Sequence, residues 1–146
     1  MIVPFPPALA LLSLLALWPA ASPAGAAAID VVDDTGARFT LTQPARRIIS
    51  LAPGATEMLF AAGAGSRLIA TVAYADQPPA ARRLPRIGDS SAIDMERLLV
   101  LKPDVVVYWP GGNNPAQIAQ LQRLGFKLYG QQVNRLGDLG ASLRRL

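Results

Sequence analysis

The stretch Arg47-Ile48-Ile49-Ser50-Leu51-Ala52-Pro53-Gly54-Ala55-Thr56-Glu57-Met58-Leu59-Phe60-Ala61-Ala62-Gly63 decides the fold. Ile48 to Leu51 is a short apolar, β-branched run, the pattern of a strand buried on both faces of a parallel sheet. Pro53-Gly54 predicts a turn, because proline gives a ladder no donor and glycine admits unusual φ. Thr56 to Ala62 is rich in helix formers, and Gly63 supplies the stop. Ligands of open α/β sheets sit at the carboxyl ends of strands, so Pro53 and Gly54 are the first candidate site residues. The same unit also serves as plain scaffold elsewhere, since fold does not fix function.

Downstream, strands alternate with helices. Gly63-Ala64-Gly65 ends a helix and precedes a strand, the reverse of a dinucleotide fingerprint. Leu68 to Tyr74 reads as a second buried strand, followed by a turn at Tyr74 to Pro79 and a basic connector, Ala80 to Arg86. Ile87-Gly88-Asp89 is a very short strand. Asp94 is an N-cap for a helix over Met95 to Lys102, in which Met95, Leu98 and Leu99 share a face. Glu96 lies in its first turn, where the helix dipole favours an anion. Val105 to Trp109 is the clearest strand, and Pro110-Gly111-Gly112 is the loop after it. Asn114-Pro115-Ala116-Gln117 predicts a helix start with a capping box, and Ile118, Leu121 and Leu124 are expected to face the core. Phe126 to Tyr129 begins another strand. Asn134 is a candidate cap for a last helix carrying Leu136, Leu139, Leu143 and Leu146, weakened by Gly137 and Gly140.

This alternation predicts an α/β fold, a parallel sheet with helices on both faces. Right-handed crossovers place every strand's carboxyl end on one rim. Pro53-Gly54, Tyr74, Trp109 and Gly111-Gly112 collect there, a candidate ligand face. Upstream, two alternating runs flank Asp34-Thr35-Gly36 and predict a β-hairpin that dresses the edge of the domain. Asp33 and Asp34 are read as solvated carboxylates of its turn.

The first 28 residues carry no charge before Asp30. Ala8 to Leu17 is an apolar core, and Ala26-Ala27-Ala28 fits a cleavage site, so residues 1–28 read as a secretory signal and residues 29–146 as the mature domain. No Lys or Arg precedes the apolar core, a departure from the usual signal pattern. The net charge of +4 comes from scattered basic residues without interleaved aromatics, which argues against a nucleic-acid partner. With neither cysteine nor histidine, the chain has no disulfide, no His/Cys zinc site and no Ser-His-Asp triad.

Arg47 to Glu57 resembles the first strand–helix unit of the periplasmic binding proteins for cobalamin and ferric siderophores. Asp94-Met95-Glu96-Arg97-Leu98-Leu99-Val100-Leu101-Lys102-Pro103-Asp104-Val105-Val106 is similar to that family's second-helix signature. Tyr74 to Ala81 and Trp109 to Asn113 look most like the cobalamin-binding branch. The resemblance covers nearly all of the mature chain. It implies a Rossmann-like first lobe of a two-lobe receptor, whose interlobe helix and second lobe would follow the last helix; the chain is then a fragment or the product of a truncated gene.

The resemblance further implies a periplasmic, monomeric receptor without a cofactor or metal of its own, which is not an enzyme. It would deliver cobalamin, or a ferric siderophore or haem, to an ABC permease and its ATPase, and would meet the inner membrane only through that permease. By position it assigns ligand contacts to Pro53, Gly54, Tyr74, Trp109 and Gly111, and permease docking to Glu96. Cobalamin receptors usually place a Trp before the second helix; this sequence has Ser90 and Ser91 there. Arg82, Arg83 and Arg86 keep an anionic siderophore open, and Tyr74, Tyr108 and Tyr129 are the available haem ligands. A doubly wound enzyme is the third reading, and it lacks a phosphate loop and a nucleophile elbow.

N-terminal sequencing of the exported product should begin near Ile29; a product that retains Leu11 to Leu17 would contradict cleavage.

Overall fold

The computed structural model describes residues 28–133 and 135–146. The signal segment, up to residue 27, and the Asn134 cap lie outside the described residues. Among the described residues, no helix is long and apolar enough to cross a membrane.

The hairpin forms as expected. β1 (Ile29–Val32) and β2 (Arg38–Leu41) pair antiparallel, with Ile29 opposite Leu41 and Val32 opposite Arg38. Four parallel strands follow: β3 (Ile48–Ser50), β4 (Leu68–Ala70), β5 (Val105–Tyr108) and β6 (Leu128–Gly130). Their order across the sheet is β4-β3-β5-β6. Ile48 lies beside Val105, Ile49 beside Val106, and Val107 beside Tyr129.

β4 is shorter than the apolar run predicts. From Thr71 the chain leaves the ladder and pairs with the connector instead, through Thr71 N–H to Pro85 O (2.9 Å), Ile87 N–H to Thr71 O (2.9 Å) and Ala73 N–H to Gly88 O (2.8 Å). Tyr74 then adopts a left-handed φ of 64°, which ends the run.

The helices are α1 (Pro53–Ala61), α2 (Met95–Leu101), α3 (Pro115–Arg123) and α4 (Leu139–Arg145). The expected turn at Pro53-Gly54 is instead the first turn of α1. Pro53 is at the start of the helix, where its missing N–H costs nothing. Gly54 has no left-handed φ; Gly63, at φ +81, does and closes the helix. Asp94 caps α2 by accepting from Arg97 N (2.9 Å), and Asn114 caps α3 by accepting from Ala116 N (2.9 Å). The expected capping box on α3 does not form. Gln117 reaches across to α2's lead-in and exchanges two 3.1 Å hydrogen bonds with the backbone of Ile93.

Alternate residues of the buried strands supply two apolar layers. Ile49, Val106 and Leu128 pack with Leu98 of α2 and with Ile118 and Leu121 of α3. Ile48, Val105, Val107 and Tyr129 pack on the other face with Ala55 and Leu59 of α1 and Leu41 of the hairpin. Leu99 and Leu124 do not join the core as expected; they are 42% and 51% exposed. Leu101, rather than Leu99, completes α2's inner face with Met95 and Leu98. Arg47 satisfies the open end of α2, donating Nη2–H to Leu101 O (2.6 Å) and Nε–H to Lys102 O (3.3 Å).

The Asp33–Asp34 reading is corrected. These carboxylates are not solvated: Asp33 is buried, and the Asp34 side chain is 1% exposed. A buried carboxylate persists only with donors around it. Asp33 accepts from Thr35 N, Ala37 N and Gly130 N, all within 2.9 Å, and from the Thr35 hydroxyl. Asp34 accepts from Gln132 N (3.0 Å), the Ser142 hydroxyl, and Nε and Nη2 of Arg145, both at 2.7 Å. The hairpin thus pins the end of β6 and holds α4. Gly130 must lack a side chain here, since a Cβ would come within 2.7 Å of the Thr35 methyl and 3.0 Å of the Asp33 carboxylate.

Asp34→Ala leaves Gln132 N, Ser142 and Arg145 without their acceptor. It should cost about 3 kcal/mol in urea unfolding, with the backbone amides of α4 exchanging faster than those of β5. An unchanged midpoint would show that the hairpin does not hold α4.

Candidate functional site

The sheet order reverses between β3 and β5. The chain leaving β3 enters α1 on one face, and the chain leaving β5 leads to α3 on the other. A crevice opens where neighbouring strands send their connections apart. A cavity of ≈ 1160 Å³ lies at this rim. Its floor is Ala52, Pro53, Gly54 and Ala55 at the start of α1, with Trp109 beyond β5 and Gln131 beyond β6. Its outer wall is apolar, made by Met58 and Phe60 of α1 and by Leu139 and Leu143 of α4.

Two buried polar clusters hold the floor. Ser50, Thr56 and Thr71 are fully buried. Ser50 Oγ donates to Ala52 O (3.0 Å), Thr56 Oγ1 donates to Ser50 Oγ or Ala52 O (each 3.0 Å), and Thr56 and Thr71 hydroxyls lie 2.7 Å apart. One proton per hydroxyl suffices if Thr71 donates to Thr56, so the chain links β3, α1 and the end of β4 without an orphan. The second cluster is Asn113. Its Oδ1 accepts from Trp109 N (2.7 Å), and its amide donates to Leu51 O and Ser90 O, both at 2.8 Å. One side chain therefore ties together the ends of β3 and β5 and the segment before α2.

The expected site residues separate into three groups. Pro53, Gly54 and Trp109 line the cavity, and Trp109 is 47% exposed. Tyr74 stands on the same rim but outside the cavity, 83% exposed. Gly111 also lies outside it and packs under the indole instead. A Cβ on Gly111 would sit 3.1 Å from Trp109 Nε1, and one on Gly112 would sit 2.0 Å from Trp109 Cε3. The two glycines thus let the indole fold back over its own loop. Glu96 is exposed on α2 and away from the cavity.

Neither set of alternative ligand groups reaches the cavity. Arg82 Nε–H donates to Asp76 O (3.2 Å), and Arg86 pairs with Asp76 at 3.1 Å. Tyr108 and Tyr129 belong to strands β5 and β6, and burial pushes the Tyr129 phenol up to about 12, with the nearby Asp34 charge adding to it. Burial likewise raises the Tyr108 phenol, with Asp33 adding to it. Both stay neutral hydroxyls at physiological pH, poor candidates for a phenolate ligand. Among the described residues, no group of three or more His, Cys, Asp or Glu is placed to hold a metal ion. Sequence reading missed Asn113 and Gln131 as rim residues. The signals were faint: a lone Asn after two glycines, and a Gln just past a strand.

The sequence pattern of the periplasmic binding proteins matches residues 48–145. The chain belongs to the periplasmic binding protein family. Over 103 residues it is 45% identical to the vitamin B12-binding protein of Vibrio cholerae serotype O1, covering 70% of this chain and 37% of that one. It is 43% identical to the vitamin B12-binding protein of Pectobacterium carotovorum over 101 residues, again 37% of that protein. The chain thus spans well under half the length of these relatives. Among solved structures, the periplasmic vitamin B12 binding protein BtuF of Vibrio cholerae superposes with a TM-score of 0.64 at 45% identity, over 68% of this chain and 40% of that one. The periplasmic heme-binding protein RhuT from Roseiflexus sp. RS-1 superposes with a TM-score of 0.54 at 30% identity, over 57% of this chain and 32% of that one. The expected fold and family are therefore those observed, and the family is one of substrate-binding proteins, not enzymes.

Asn113→Ala should destabilise the domain by about 2 kcal/mol, since Trp109 N is left without an acceptor in a half-buried site. Urea unfolding measures it, and accelerated exchange of the Trp109 amide marks the rim as the place of damage. A loss below about 0.5 kcal/mol would mean that the rim does not depend on this side chain.

Proposed function

We propose that the chain is the first lobe of a two-lobe periplasmic receptor for vitamin B12 or a closely related corrinoid. It is exported, and it hands its ligand to an ABC permease with an associated ATPase. The observation that carries the ligand class is the lining of the cavity. Its side chains are mainly apolar, with Trp109 as a flat partner, and among the described residues its only charged one is Glu57. Among the described residues no Arg or Lys lines it. An anionic ferric siderophore needs cationic partners, and haem needs them for its carboxylates besides a ligand to iron. A corrin ring is broad, partly apolar and fringed with neutral amides, which suits an aromatic face and a cation-free lining. The 45% identity to vitamin B12-binding proteins points the same way, whereas the likeness to the heme-binding RhuT rests on 30%.

A second lobe would supply the facing wall. The cavity is open on one side, and a receptor that buries most of its ligand needs that side covered. Pro53, Gly54 and Trp109 are the proposed contacts of this lobe. Tyr74, outside the cavity, would meet only a ligand broad enough to overhang the rim, and Gly111 would act through Trp109. Glu96, exposed and on the helix rather than the rim, is the proposed permease contact, where its charge steers docking more than it adds affinity.

Calorimetry with cyanocobalamin tests the reading. The chain alone should bind weakly, and the same chain joined to a second lobe should bind several kcal/mol more tightly, at tenfold for each ~1.4 kcal/mol. In the two-lobe protein, Trp109→Ala should weaken binding at least tenfold and Tyr74→Ala less. Glu96→Ala should leave binding intact and reduce transport. A two-lobe protein that ignores cyanocobalamin and binds a ferric siderophore or haem would overturn the ligand class and leave the family standing.

A further inference from the structure

Among the residues that line the cavity, Gln131 is a buried one whose polar side chain the fold does not use. Gln131 follows β6 directly, and its backbone N–H donates to Tyr108 O (2.8 Å). The residue is only 7% exposed, yet it lines the cavity. Among the described residues its side-chain amide has no hydrogen-bond partner. A primary amide carries two donors and an acceptor, and the amide end of Gln131, unlike the rest of the residue, is not shut off from the cavity. The other buried polar side chains at the rim, those of Ser50, Thr56, Thr71 and Asn113, are all satisfied within the protein. Gln131 is the exception, and its free end faces the space where a ligand would lie.

A second unsatisfied group lines the same cavity. α1 has nine residues, and no side chain caps its start, because Ala52 occupies the N-cap. Pro53 has no N–H to satisfy, which leaves the N–H groups of Gly54 and Ala55 at the open end of the helix. Both residues line the cavity with Gln131. α2 and α3 close that end with Asp94 and Asn114, whereas α4, like α1, has no capping side chain.

We infer that Gln131 and the open start of α1 form one subsite for a neutral carboxamide of the ligand. The inference rests on the corrinoid reading and deepens it. The helix N–H groups donate to the ligand's carbonyl oxygen, while Gln131 Oε1 accepts from the ligand's N–H. A carboxylate could take the helix N–H groups and, with the Gln131 amide turned, its Nε2–H, but Glu57 on the same lining opposes its charge. The helix dipole alone would favour an anion by a small amount, and among the described residues no cation lines the cavity to reinforce it. The subsite thus distinguishes a ligand fringed with amides from one fringed with acids.

The test is a cycle between protein and ligand, run by calorimetry on the two-lobe protein. The probes are cyanocobalamin and its monocarboxylates, in each of which one peripheral amide has been hydrolysed. Gln131→Leu should lower affinity for cyanocobalamin about tenfold, and for one monocarboxylate the same substitution should make little difference, because the group it recognises is already gone. The urea midpoint of Gln131→Leu should not fall, since the side chain makes no hydrogen bond within the fold. Equal affinity of Gln131→Leu and the parent for cyanocobalamin, or an identical tenfold loss against every monocarboxylate, overturns the subsite. If Trp109→Ala weakens cyanocobalamin while Gln131→Leu does not, the corrinoid reading stands and this inference falls. A parent protein that does not bind cyanocobalamin overturns both.

Discussion

Two neighbouring strands that send their chains to opposite faces cannot both cover the gap between them. That constraint places the cleft. β3 and β5 lie side by side, but α1 packs on one face of the sheet and α3 on the other. What remains at their carboxyl ends is backbone with polar groups in need of partners. The Ser50–Thr56–Thr71 hydroxyls meet that need on one side of the gap, and Asn113 bridges it. The floor of the cleft is therefore fixed by hydrogen bonds before any ligand arrives. Preorganisation of this kind lowers what binding must spend on ordering loops.

The outer wall has a different origin. Leu139 and Leu143 reach the cavity only because α4 is held, and α4 is held largely by a carboxylate in the hairpin, more than a hundred residues earlier in the chain. An ion pair half open to solvent is ordinarily weak. Asp34 is not such a pair: its own side chain is shut off from water, so its donors are obligatory. The hairpin, which looks like an ornament at the edge of the domain, is a structural part of the site.

The sequence made the layers legible because they depend on local pattern. Apolar β-branched runs gave β3 and β5, Asp94 and Asn114 gave two helix starts, and the order of elements gave the parallel sheet and its rim. What stayed illegible depends on partners distant in the chain. Nothing near Asp33-Asp34 shows that Gly130, Ser142 and Arg145 will meet it. Nothing near Gln117 shows that its amide will take the Ile93 backbone rather than complete a capping box. Helical spacing put Leu99 and Leu124 in the core, because periodicity marks a face but not where that face ends. At the site, Pro53, Gly54 and Trp109 could be read as strand-end residues. Gln131 could not, because what sets it apart is a missing partner, and only the folded neighbourhood reveals that.

Trp109 folded over Gly111-Gly112 has a practical consequence. The chain contains two tryptophans, and the other is Trp18, within the segment read as the signal. Residues 29–146 contain a single indole, and it lines the cleft. Its ultraviolet emission then reports from one known position, without an introduced label. Changes in its wavelength would follow water entering or leaving the rim, and collisional quenchers would probe how open the mouth is. An indole that lines the cavity is thus also a built-in optical probe of that space.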